Sequence, residues 1–122
     1  MYKMTQIVLA SLSLIFFSCD KKYKYTVKVC GGRLYAESFN IKPAGVDEDY
    51  LTDSINFRIY IGKYDNGHEN FGYECNGDSI TVMKLVVPLI GPRMKVVESR
   101  TLSLSELVKN NTKNNKPLFE FK

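Results

Sequence analysis

From Tyr23 onward, apolar and polar residues alternate with a period of two, the repeat of a strand that buries one face. Tyr23, Tyr25, Val27 and Val29 interleave with Lys24, Thr26, Lys28 and Cys30. Gly31-Gly32 follows, a pair that accepts positive φ at both turn positions, and predicts a hairpin returning through residues 33–40. Residues 41–53 carry Pro43, Gly45 and a group of acids, and are expected to form a loop with one helical turn. Residues 54–61 alternate most cleanly, with Ile55, Phe57, Ile59 and Ile61 on one face and Asn56, Arg58 and Tyr60 on the other, which predicts a central strand. Asn66-Gly67 predicts a hairpin into residues 69–75, with Phe71, Tyr73 and Cys75 turned inward, and Asn76-Gly77 a second hairpin into residues 79–87. These three strands would form a meander. Pro88, Gly91 and Pro92 end it, and residues 94–102 predict one more strand.

One helix has a start signal. Ser103-Leu104-Ser105-Glu106 fits a capping box, in which the Ser103 hydroxyl and the Glu106 carboxylate satisfy each other's backbone donors. The asparagine-rich residues 110–115 stop it, and residues 118–121 are expected to close the sheet as a last strand. The pattern predicts an all-β fold with one short C-terminal helix: a small antiparallel β-sandwich or partly open barrel of six or seven strands, one domain over residues 23–122.

Residues 1–18 follow a different pattern: a cation at Lys3, an apolar run over residues 7–17 broken only by Ser11 and Ser13, and the small residue Ser18. As a helix that run reaches about 16 Å, roughly half of a hydrocarbon core near 30 Å. Charge, short apolar stretch and small residue together are the layout of a secretory signal. Phe16-Phe17-Ser18-Cys19 resembles the lipobox of bacterial lipoproteins. Phe16 stands where Leu is usual and Phe17 where a small residue is preferred. The resemblance implies cleavage before Cys19, a diacylglycerol on its thiol and an acyl chain on its new amino group. Residues 1–18 are then a lipoprotein signal peptide and residues 19–22 a lipidated N-terminus and short tether. It further implies a membrane-anchored lipoprotein of the bacterial cell envelope, since two or three acyl chains hold a protein on a bilayer where one does not. Asp20 resembles an inner-membrane retention signal used by some bacteria, while other groups read these positions differently, so the leaflet stays open.

At 122 residues the chain holds one small domain, which excludes a multidomain enzyme. Three cysteines are an awkward number for an exported protein. Lipidation of Cys19 leaves Cys30 and Cys75, for which a disulfide is the default in an oxidising compartment. The formal net charge of +4 is spread along the chain in ones and twos rather than gathered into a stripe, so nucleic acid is not an expected partner.

Candidate chemistry is sparse. His68, the single histidine, is flanked by Asp65 and Glu69 but falls on a predicted turn with no nucleophile beside it. Asp47, Glu48, Asp49 and Asp53 form an acidic cluster, yet an EF-hand register from Asp47 would place Thr52 and Arg58 where Gly and Glu are needed. Cys30, Cys75 and His68 lack a fourth zinc ligand. Tyr60, Tyr64, Phe71 and Tyr73 gather near Arg58, and Arg58, Tyr60 and Tyr64 make the best candidate binding surface. The apolar residues 87–92 cover one end of the core or, if exposed, contact a partner or a membrane. No phosphate loop, nucleophile elbow or metalloprotease motif occurs. The residues therefore point to a lipid-anchored, non-catalytic β domain that uses no metal or cofactor and binds an unknown protein or glycan. The alternative is an inhibitor or immunity-type lipoprotein that blocks a toxin or envelope hydrolase.

Overall fold

The computed structural model describes residues 21–42, 45–88, 90–91, 93–111 and 113–121. The signal peptide expected over residues 1–18 and Cys19 lie outside the described residues. Two antiparallel sheets face each other with no closed barrel, the sandwich form of the predicted all-β fold. The first sheet is a meander of β1 (Lys21–Val29), β2 (Leu34–Ile41), β3 (Val46–Thr52) and β4 (Arg58–Asp65). The second is a meander of β5 (Glu69–Asn76), β6 (Ser79–Val86) and β7 (Lys95–Ser103). The short helix α1 (Leu104–Lys109) follows, and the two-residue β8 (Lys113–Asn114) lies parallel to the start of β4.

The alternation that predicts the strands also places the core. Leu34 and Ala36 of β2, Leu51 of β3, and Ile59 and Ile61 of β4 are buried against Phe71 of β5 and Ile80 and Val82 of β6. Lys84 is buried among them and reaches Glu69 Oε2 at 3.2 Å, so its charge is compensated. The C-terminal tail completes the core without forming a regular strand. Leu118 and Phe119 donate backbone N–H groups to the carbonyls of Tyr60 and Ile61, and Phe119, 1% exposed, stacks on Phe71 with centroids 5.5 Å apart. The predicted Cys30–Cys75 disulfide is present and ties the end of β1 in one sheet to β5 in the other.

Several sequence expectations are corrected. Residues 46–52 are a strand, because the acids that argue for a loop each find a partner supplied by a distant strand or turn. Asn66-Gly67 does not make a hairpin, since β4 and β5 belong to different sheets and the turn carries the chain from one layer to the other. The predicted strand over 54–61 begins only at Arg58, and Ile55 is 84% exposed. The capping box is half formed: Ser103 Oγ accepts from the Glu106 N–H, and Asp78, from the β5–β6 turn, binds Ser103, Ser105 and the start of α1. The first strand also begins at Lys21, inside the stretch expected to serve as tether.

Asp53 explains the late start of β4. Its Oδ1 accepts the backbone N–H groups of Ile55, Asn56 and Phe57 at 3.0, 2.6 and 3.0 Å and closes a tight turn. Slight burial pushes its carboxyl upward, but those N–H groups outweigh it and hold the pKa at about 2, against an ordinary 3.8. A carboxyl depressed on folding stabilises the fold above its unfolded pKa and loses that contribution as pH falls through the folded one. Asp53→Ala is expected to cost about 1 kcal/mol at neutral pH. In urea titrations the gap to the parent should shrink as pH falls from 3.8 towards 2, and a gap independent of pH would be the contrary result.

Candidate functional site

The outer face of the β1–β4 sheet carries a row of aromatic side chains, one from each strand. Tyr23 and Phe39 lie opposite each other across β1 and β2, and Tyr50 and Tyr60 across β3 and β4. Successive ring centroids are 5.8 Å (Tyr23–Phe39), 5.6 Å (Phe39–Tyr50) and 5.0 Å (Tyr50–Tyr60) apart, the first two edge-on and the last stacked. Cross-strand aromatic pairs of this kind stabilise the sheet while leaving ring edges open to a partner.

Charged groups frame the row. The Arg58 guanidinium lies 3.8 Å from the Tyr50 ring centroid, and its Nε donates to Glu37 Oε1 at 3.0 Å. Ring and carboxylate hold the fork in one orientation. Glu48 is buried beneath the row: it pairs with Lys21 and accepts from Tyr60 Oη at 2.8 Å and Tyr50 Oη at 3.3 Å. Burial first, and then the Glu48 carboxylate, push the Tyr60 phenol far above its ordinary pKa, so it remains a donor. At Lys21, partial burial pulls the ammonium pKa down, but bonds to Glu48 and Tyr50 outweigh it and the net shift is upward. The cluster is a preorganised surface whose internal bonds are made before any partner arrives.

Arg58 and Tyr60 therefore sit together on one face, as their spacing suggests. Tyr64 does not join them. Ile61 opposes no residue of β3, a β-bulge completed by Gly62 at φ 140°, and this extra residue reverses the inward and outward sense of the strand beyond it. Tyr64 is consequently 2% exposed, packed edge-on against Phe71 and within 3.0 Å of Ser38 Oγ. Its phenol is pushed up, by burial and then by the nearby Asp49. Asp49 accepts from Ser38 Oγ at 2.6 Å and Tyr73 Oη at 3.0 Å, and burial raises its carboxyl despite those bonds. A cleft of about 150 Å³ opens onto this group between β1 and β5, lined by Tyr25, Val27, Val29 and Phe71. Among the described residues no buried side-chain polar atom lacks a hydrogen-bond partner.

The other candidate residues scatter. Asp47 and Asp49 point inward and Glu48 outward, so the acidic run is split between two faces; Asp47 is held by Lys24 at 2.6 Å, Asn40 at 2.9 Å and Asn66 at 3.2 Å. Among the described residues no group of His, Cys, Asp or Glu is arranged to hold a metal. His68 sits exposed on the turn between the sheets. Lys21, Tyr23, Glu37, Phe39, Glu48 and Tyr50 are the members of the surface that sequence reasoning misses. Phe39 is legible as alternating with Ser38 and Asn40, but Tyr50 and Glu48 fall in the stretch expected to be a loop. No protein-family model, no curated protein and no solved structure matches this chain.

Proposed function

We propose that the chain is a lipid-anchored protein of the bacterial envelope whose β1–β4 face binds another protein and performs no chemistry of its own. The observation that carries this reading is the cover on Tyr50. With Arg58 on its ring and Tyr60 stacked beside it, Tyr50 at the centre of the row offers no open ring face of the kind a sugar stacks on. It offers ring edges, a fixed guanidinium and phenol oxygens, the composition of protein–protein hot spots. Because Arg58 and Glu37 are already paired, little side-chain freedom is left to lose on binding. The lipobox resemblance at Phe16-Phe17-Ser18-Cys19 supports the anchor and the envelope address.

Arg58→Glu places a carboxylate beside Glu37 without opening the core. It is expected to weaken capture of the envelope partner by roughly thirtyfold, while Lys109→Ala on α1 leaves capture unchanged. Undiminished capture by the Arg58 variant would remove this face from the binding surface. Cys19→Ala is expected to abolish labelling by a fatty-acid probe, and persistent labelling would refute the anchor.

A further inference from the structure

The topology brings the start of β1 and Ile90, the most exposed large apolar side chain among the described residues, to the same end of the sandwich. β1 begins at Lys21, opposite Ile41 at the end of β2, and β3 begins at Val46 opposite Asp65 at the end of β4. Glu69 at the start of β5 pairs with Val86 at the end of β6, which in turn pairs with Lys95 at the start of β7. Backbone bonds tie the connections at this end together: Asn66 N–H to the Gly45 carbonyl at 2.8 Å, His68 N–H to that of Asp65 at 3.0 Å, and Val87 N–H to that of His68 at 2.7 Å. In the connection from β6 to β7 Ile90 is 92% exposed, and Val87 and Met94, close to it in sequence, are exposed as well.

Charge sharpens the picture. Lys22, Lys42, Arg93 and Lys95 are exposed at the same end and make no ion pair with a described residue. Three of the acids at this end are paired, Asp47 with Lys24, Glu48 with Lys21 and Glu69 with Lys84, and Asp65 accepts the N–H of Gly67 in its own turn. Exposed apolar residues at an end that carries these cations suit the boundary between acyl chains and anionic headgroups. Cys19 stands two residues before Lys21, a reach of roughly 7 Å, so a lipid on it would hold this end against the bilayer.

We infer that the β6–β7 loop, through Val87, Ile90 and Met94 with the cations Lys22, Lys42, Arg93 and Lys95 at the same end, docks on the anionic surface of the membrane. This rests on the anchor reading for its strength, since a single small loop binds a bilayer weakly without a tether. The strands then stand up from the lipid. Arg58, at the other end of β4 from Asp65, is carried roughly 20 Å away from the bilayer, where a partner reaches it.

Ile90→Cys in the full chain creates one free thiol, because Cys19 is lipidated and Cys30 and Cys75 are bonded to each other. In membranes from producing cells, this thiol is expected to react roughly tenfold more slowly with a charged maleimide than Glu106→Cys on α1, a difference that detergent abolishes. A fluorophore on position 90, but not on 106, is expected to be quenched by lipids carrying a nitroxide on the acyl chain. Equal reactivity at both positions overturns the inference. Protection without lipid quenching also overturns it and assigns the loop to a protein, whether a second copy or another partner. Fatty-acid labelling of Cys19 in the same samples reads the anchor separately. If that labelling fails, the released chain is mixed with phosphatidylglycerol vesicles: salt-sensitive quenching at position 90 sustains the loop contact, and its absence overturns it.

Discussion

Replacing both Cys30 and Cys75 with alanine is expected to lower the stability of the fold by about 4 kcal/mol, the chain-entropy value for a bridge of this span. The two residues are 45 apart in sequence and their Cα atoms 5.4 Å apart in space. The bridge therefore removes much of the freedom that the unfolded chain would have across β1 to β5. It also crosses between layers at the side where β1 faces β5 over an open cleft, and where β1 is exposed along most of its length. Elsewhere the sheets are joined by buried side chains; here a covalent bond replaces them. For a domain whose total stability is of order 5–15 kcal/mol, this is a large share. Urea unfolding should show a lower midpoint with an unchanged slope if the loss is stability alone. A loss below about 1 kcal/mol would mean that native packing or residual structure in the unfolded chain already supplies the restraint.

The second large effect is expected at Gly62. A Cβ on this residue would stand 2.5 Å from the Phe119 carbonyl oxygen, a backbone atom that cannot swing aside, and the residue's φ of 140° is one that side chains rarely adopt. Gly62→Ala thus combines backbone strain with a collision against the segment that seats Phe119 between the sheets. A loss of roughly 3 kcal/mol is expected, in the range of severe overpacking or a strained backbone. Gly77→Ala gives the cost of a left-handed backbone without a collision, because Gly77 has a φ of 60° and nothing within 4 Å of its Cβ position. That variant should lose only roughly 1 kcal/mol. Equal losses in the two would assign the Gly62 effect to conformation and not to the tail.

Sequence pattern carries furthest where the interactions are local. Gly31-Gly32 and Asn76-Gly77 lie at the turns of true hairpins, and the alternation around Val27, Phe71 and Val82 marks strands whose inward residues match their period. Arg58 and Tyr60 are two positions apart on an unbroken stretch of β4, so their common face is readable. The pattern fails where partners are distant. Asp47, Glu48 and Asp49 read as a solvated loop because Lys24, Lys21 and Ser38, which receive them, are more than ten residues away. Asn66-Gly67 is a good turn in any context, and nothing local says that its two strands enter different sheets. Tyr64 keeps the spacing of Arg58 and Tyr60, but the bulge between them reverses its direction.

By itself the amino-acid sequence determines the all-β class, most of the strands, the short capped helix and the cysteines that pair. The strands and the helix follow from neighbours a few residues apart, through the two-residue period of a pleated strand, the φ demands of a tight turn and the cap at Ser103, and the cysteine pair follows from the count of cysteines. The tertiary structure alone decides which strands share a sheet, that the acidic segment is β3, that Tyr64 is core while Tyr50 is surface, and that the loop of Ile90 shares an end with the start of β1. Those outcomes depend on packing and charge pairing between residues that only the folded chain brings together, and period-two alternation is blind to them.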